Sequence, residues 1–146
     1  MQPPPPGSVS AILEAIGSGV PFLLTQLIAS IALLAIGTAV YTAVTPFRER
    51  VLMAAGNVAG GVVFAGAVIA LTLPLAVILA TSSRLLDILV WGLFALVLQL
   101  VTLAVISFVF RSLRGAIEGG NIAAAVGVAA AQIAVALLNA AVMVPN

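Results

Sequence analysis

Residues 88–110 read ILVWGLFALVLQLVTLAVISFVF, a run of 23 positions without a charged side chain. As a helix, at 1.5 Å per residue, this run is about 35 Å long, enough to cross the roughly 30 Å hydrocarbon core of a bilayer. Charges stand on both sides of it: Arg84 and Asp87 before, Arg111, Arg114 and Glu118 after. Working outward, the arrangement recurs. The windows 15–47, 51–83 and 119–146 are uncharged too, and the remaining charges, Glu14, Arg48, Glu49 and Arg50, fall at their borders. A charge at the centre of a spanning helix costs about 2.5–3.5 kcal/mol on insertion scales, so this confinement marks membrane spans.

Composition agrees. The 146 residues are 64% hydrophobic and 6% charged, with a mean hydropathy of +1.36, whereas soluble domains carry about 25% charged residues. Only helices and closed barrels satisfy their backbone groups in lipid, and alternating strand patterning is absent. The expected fold is therefore all-α and integral to the membrane, with four transmembrane helices in one domain. The lipid bilayer is the first partner implied.

Absences exclude much chemistry. With no Cys and no His, there are no disulfides, thiolate nucleophiles, imidazole bases or usual ligands for zinc, haem or copper. All five basic residues are arginines, which removes Schiff-base chemistry and a P-loop. Ser82, Ser83 and Asp87 lack a base to complete a catalytic constellation. No enzyme activity, cofactor or metal is expected. The arginines form no basic patch for nucleic acid, and no juxtamembrane cluster reaches the 4–8 basic residues expected of an anionic-lipid site.

Residues 1–18 are expected to be a proline-rich tail, with Pro3–Pro6 as a short polyproline II segment, followed by a possible interfacial helix over Val9–Ile16 that Gly17 and Gly19 interrupt. The absence of a basic n-region argues against a secretory signal. Residues 19–145 hold the spans, predicted at about Phe22–Val44, Val58–Ala80, Leu85–Phe110 and Ile122–Val144. Thr45–Pro46 reads as a helix restart, with Thr45 as N-cap and Pro46 at the first helical position. Arg48, Arg50, Arg111 and Arg114 fall after spans one and three, while Arg84 alone lies opposite. The positive-inside rule then places the four-arginine side in the cytoplasm and both termini outside.

A shift of 64 residues lays Gly56–Leu79 over Gly120–Met143, matching Gly56 with Gly120, Asn57 with Asn121, Ala59 with Ala123, and Arg50 with Arg114. Two helical pairs, about 19–80 and 83–144, would thus be parallel repeats about an axis along the membrane normal. The run Val40-Tyr41-Thr42-Ala43-Val44-Thr45-Pro46-Phe47-Arg48-Glu49 with Gly56-Asn57 resembles the first repeat of the YjfL-type bacterial inner-membrane proteins, the domain-of-unknown-function 350 family. Leu85-Leu86-Asp87, Trp91-Gly92, Leu98-Gln99-Leu100, Gly120-Asn121 and Leu138-Asn139-Ala140-Ala141 resemble its second. The resemblance covers roughly residues 20–144. It implies a four-helix protein of the inner (cytoplasmic) membrane, with an envelope role left undefined. Gly60-Gly61 and the polyproline start depart from the family pattern.

Polar side chains within the spans are the site candidates. Asn57 and Asn121, each after a glycine, suit helix capping, with ion contact as the alternative. Gln99, Gln132 and Asn139 sit deeper, as interhelical packing amides or as the lining of a pore. On span four, Ala125, Ala129, Gln132, Ala136, Asn139 and Ala140 share one side, and Gly127, Ala130, Ala134 and Ala141 form a second small-residue strip roughly opposite. That second strip would build either the four-helix core or an interface with another subunit. Arg48, Glu49, Arg50, Arg111 and Arg114 are candidates for a cytoplasmic partner surface. The expected function is a non-enzymatic scaffold or anchoring subunit, as a homo-oligomer or part of a membrane complex. A small oligomeric channel or transporter is the alternative.

Overall fold

The computed structural model describes residues 8–45 and 48–144. The polyproline segment, Pro46 and the last two residues lie outside these. The elements are α1 (Val9–Val44), α2 (Glu49–Ala54), α3 (Val58–Thr81), α4 (Leu85–Val109), a 3-10 turn (Arg111–Leu113), α5 (Arg114–Glu118) and α6 (Ile122–Val142). There is no strand among the described residues. Four of the helices, α1, α3, α4 and α6, are long and apolar enough to cross a membrane.

The first of these differs from expectation. Residues Val9–Ile16 are not a separate interfacial helix: α1 runs unbroken for 36 residues, about 54 Å. Gly17 and Gly19 do not have positive φ, so neither ends the helix. Pro21 removes only its own N–H from the ladder, and Thr25 Oγ1 donates to the Pro21 carbonyl at 2.8 Å. Breaking the helix among so many apolar side chains would strand more backbone groups than Pro21 does. Ser8 caps its start by accepting from the Ala11 N–H at 3.3 Å.

The restart after α1 also differs. Thr45 ends α1 rather than opening α2: its N–H and its hydroxyl both donate to the Tyr41 carbonyl, each at 2.9 Å. The residue flanking α2 is Arg48, held at φ 46° and ψ 44°, a left-handed conformation that costs an L-residue roughly 1–2 kcal/mol. Thr45 serves α1 because its hydroxyl reaches back one turn, which leaves the next helix without a side-chain cap.

The bundle is centred on α3, which packs against α1, α4 and α6. Its most extensive contact is with α6, where small residues bring the backbones together. A Cβ placed on Gly66 would lie 2.5 Å from Ala129 Cβ and 2.8 Å from Ala129 Cα. Helices α1 and α4 interlock by exchanging leucines into glycine notches: Leu96 of α4 fills the space at Gly37, and Leu33 of α1 fills that at Gly92. In lipid such close packing, rather than the exclusion of water, draws helices together.

At the end of the bundle that carries Arg48, Arg50, Arg111 and Arg114, two corners share one geometry. Gly56 (φ 77°) and Gly120 (φ 86°) take the left-handed conformation. Asn57 N–H then donates to the Leu52 carbonyl at 2.9 Å, and Asn121 N–H to that of Ala116 at 2.8 Å, the closure that a glycine at this position permits. Each asparagine next caps the following helix. Asn57 accepts from the Gly60 N–H at 2.9 Å and Asn121 from the Ala124 N–H at 3.1 Å.

Candidate functional site

Apolar spans leave few groups able to do chemistry, so the site begins with those the bundle buries. Gln99 on α4 and Gln132 on α6 are fully buried, and Asn139 nearly so. Asn139 Nδ2 lies 3.3 Å from Gln99 Oε1 and 3.4 Å from the Ala95 carbonyl, and donates to both, which ties α6 to α4. The remaining amide groups are unpaired within the protein: Gln99 Nε2, both polar atoms of Gln132 and Asn139 Oδ1. Unpaired amides at this depth are costly, roughly 1–3 kcal/mol each. The arrangement offers dipoles to a water or another polar group but no acid or base.

Sequence reading missed two further parts of this polar interior. Gln26 and Ser30 are buried on α1, with Gln26 Nε2 unpaired and the Ser30 hydroxyl returned to the Gln26 carbonyl at 2.9 Å. They open a stripe, Gln26, Ser30, Leu33, Gly37 and Tyr41, whose three- and four-residue spacing was available in the sequence as one helical face. Ser107 on α4 is also buried with its hydroxyl unpaired, and nothing in its local sequence distinguishes it from the lipid-facing residues around it.

At the arginine-bearing end, one residue departs from the surface expected of it. Arg48, Arg50, Arg111 and Arg114 are exposed, but Glu49 is 1% exposed. Tyr41 OH, itself buried, donates to Glu49 Oε1 at 2.9 Å, and Thr45 Oγ1 approaches Oε2 at 3.3 Å. The carboxylate is turned inward to cross-link α2 to the end of α1, so it cannot belong to a surface offered to a partner. Arg114 and Glu118 form an exposed pair at 2.8 Å, worth under about 1 kcal/mol in water.

Asn57 and Asn121 both cap helices, yet among the described residues only Asn57 reaches across the bundle. Its Nδ2 donates to the Ile117 carbonyl at 3.1 Å and the Glu118 carbonyl at 2.9 Å, fastening the start of α3 to the end of α5. The two strips on α6 also separate. Ala125, Ala129, Gln132, Ala136, Asn139 and Ala140 face the bundle, whereas Gly127, Ala130, Ala134 and Ala141 are exposed. Of the two uses expected for the second strip, the bundle's own core is ruled out.

Known proteins give a family for this arrangement. No solved structure matches the chain. The chain is 30% identical over 113 residues to the UPF0719 inner membrane protein YjfL of Escherichia coli (strain K12), covering 77% of this chain and 86% of that protein. The protein of the same name from Escherichia coli O157:H7 matches to the same extent. The family described as Domain of Unknown Function (DUF350) matches residues 15–143, nearly the whole bundle, and the chain belongs to that family.

Proposed function

We propose that this protein is a non-enzymatic scaffold or anchoring subunit of a bacterial inner membrane, with both ends on the periplasmic side, and that it works as an oligomer through the outer face of α6. The observation that carries this reading is Gly127. A Cβ there would meet nothing within 4 Å, so no neighbour among the described residues requires a glycine, although glycine costs a helix about 1 kcal/mol relative to alanine. Gly37, Gly66 and Gly92 each admit a neighbouring helix. Gly127 lies on the exposed strip with Ala130, Ala134 and Ala141, and close approach by another subunit's helix gives it the same purpose. The relatives named as inner membrane proteins support the location.

The chain has no cysteine, so a single Ala134→Cys substitution gives an unambiguous cross-linking probe. In native membranes it forms a disulfide-linked dimer, and adding Gly127→Leu abolishes the cross-link while leaving the protein folded. A monomeric wild-type chain, with no cross-link and no co-purifying protein, would overturn the reading.

The buried amides favour a second reading, a small oligomeric channel or transporter. Gln99, Gln132 and Asn139 retain unpaired groups inside the bundle, as sites for permeating water or solute would. Flux of ions or polyamines into liposomes, lost in Gln132→Ala and Asn139→Ala, supports it. Flux absent or indifferent to both substitutions rejects it.

A further inference from the structure

We infer that the cleft between the end of α1 and the end of α4 binds one anionic phospholipid of the surrounding bilayer. The cleft is about 260 Å³ and lies at the arginine-bearing end of the bundle. Its floor is Tyr41, Leu103 and Ser107, all buried, and its rims are exposed, with Val44 64% and Phe108 74% accessible. Such a groove with an apolar floor opens sideways onto acyl chains.

The lining is ordered along α4 and the turn after it as an amphiphile is ordered along its length. Leu100, Leu103 and Ala104 lie deepest, Ser107 comes about one turn later, and Arg111 and Arg114 follow beyond the end of α4. An acyl chain would lie along the first three. The ester region would fall at Ser107 and the phosphate at the two guanidinium groups. Basic pockets between spanning helices favour acidic headgroups for this reason.

Ser107 supplies the second observation. Aliphatic hydroxyls elsewhere in the spans return their hydrogen bond to the carbonyl four residues back: buried Ser30 to Gln26, and half-buried Thr72 to Val68 at 2.8 Å. The Ser107 hydroxyl is buried and has no partner in the protein. A lipid ester or phosphate oxygen provides the missing acceptor. Glu118 accepts from Arg114 through Nε, which orients the guanidinium and leaves hydrogens of its two terminal amino groups for a phosphate. Glu49, the nearest other carboxylate, is bonded behind Tyr41.

The test uses the full-length protein in a non-ionic detergent, with native mass spectrometry to follow the binding of phosphatidylglycerol and phosphatidylcholine of identical acyl chains. Wild type is expected to prefer phosphatidylglycerol by about thirty-fold, roughly five-fold for each arginine. Arg111→Gln with Arg114→Gln removes the preference, and Ser107→Ala weakens phosphatidylglycerol about five-fold. Ala104→Trp fills the groove without altering charge and also abolishes the bound lipid, with Ala104→Leu as the milder substitute should the tryptophan variant misfold. Arg50→Gln, at the same end but outside the cleft, retains wild-type binding, and inorganic phosphate does not compete. Equal binding of the two lipids, an effect of Arg50→Gln as large as that of the pair, competition by phosphate, or indifference to both groove-filling variants would overturn the proposal.

Discussion

Gly66 and Gly127 are both mid-helix glycines in spanning segments, and their surroundings give them opposite roles. Gly66→Ala drives a methyl group to 2.5 Å from Ala129, which forces α3 and α6 apart. A loss of about 1–3 kcal/mol is expected in unfolding titrations in mixed micelles. Gly127→Ala meets open space and is expected to leave the monomer unchanged or to stabilise it by up to about 1 kcal/mol. The buried Tyr41–Glu49 pair makes a second expectation at this scale. Tyr41→Phe leaves a buried carboxylate with the Thr45 hydroxyl as its nearest donor and costs about 2 kcal/mol. Glu49→Gln retains an acceptor for the phenol and costs less than Glu49→Ala. A double-mutant cycle on Tyr41→Phe and Glu49→Gln measures the coupling between the two side chains.

Among the elements, the two Gly-Asn corners look alike locally but carry different loads. Asn121→Ala removes one helix cap and is expected to cost about 1 kcal/mol. Asn57→Ala removes a cap and two bonds to α5 together, so about 2–3 kcal/mol is expected from the same unfolding measurement. The first helix is also uneven along its length. Its buried residues begin at Gln26, and nothing before it in α1 is buried. Deleting residues 1–19 is therefore expected to shift the unfolding free energy of the bundle by no more than about 0.5 kcal/mol, whereas Leu33→Ala, in the α1–α4 contact, costs about 2–5 kcal/mol.

For the molecule as a whole, four arginines at one end against Arg84 at the other set the expected direction of insertion. Because the chain contains no cysteine, Ser83→Cys and Ser112→Cys report on the two ends separately, and both positions are exposed. A membrane-impermeant maleimide added to intact cells is expected to label position 83 and to reach position 112 only after lysis. Labelling of 112 alone would invert the orientation, and with it the placement of the arginine-rimmed cleft in the cytoplasmic leaflet.

Number and helical nature of the spans, and the position of the last three, were determined by the sequence alone, because lipid imposes one rule on every residue of a span: no stray charge and no unpaired backbone. The ends of α3, α4 and α6 accordingly fall within two residues of those read from the charge gaps. The two small-residue faces of α6 were legible too, since they recur at the helical period, but only the packing shows that Gly127, Ala130, Ala134 and Ala141 lie outside the core. The unbroken course of α1 through Gly17, Gly19 and Pro21 was not, because local breaking signals compete there with a backbone that must stay paired. Nor was the burial of Glu49, which a row of charges assigns to the surface until Tyr41, eight residues earlier, comes to lie over it. The lipid cleft is of the same kind. Val44, Ser107 and Arg111 are unremarkable in their own segments, and only the packing of α1 against α4 sets them around one space, because a groove belongs to two helices and neither sequence contains it.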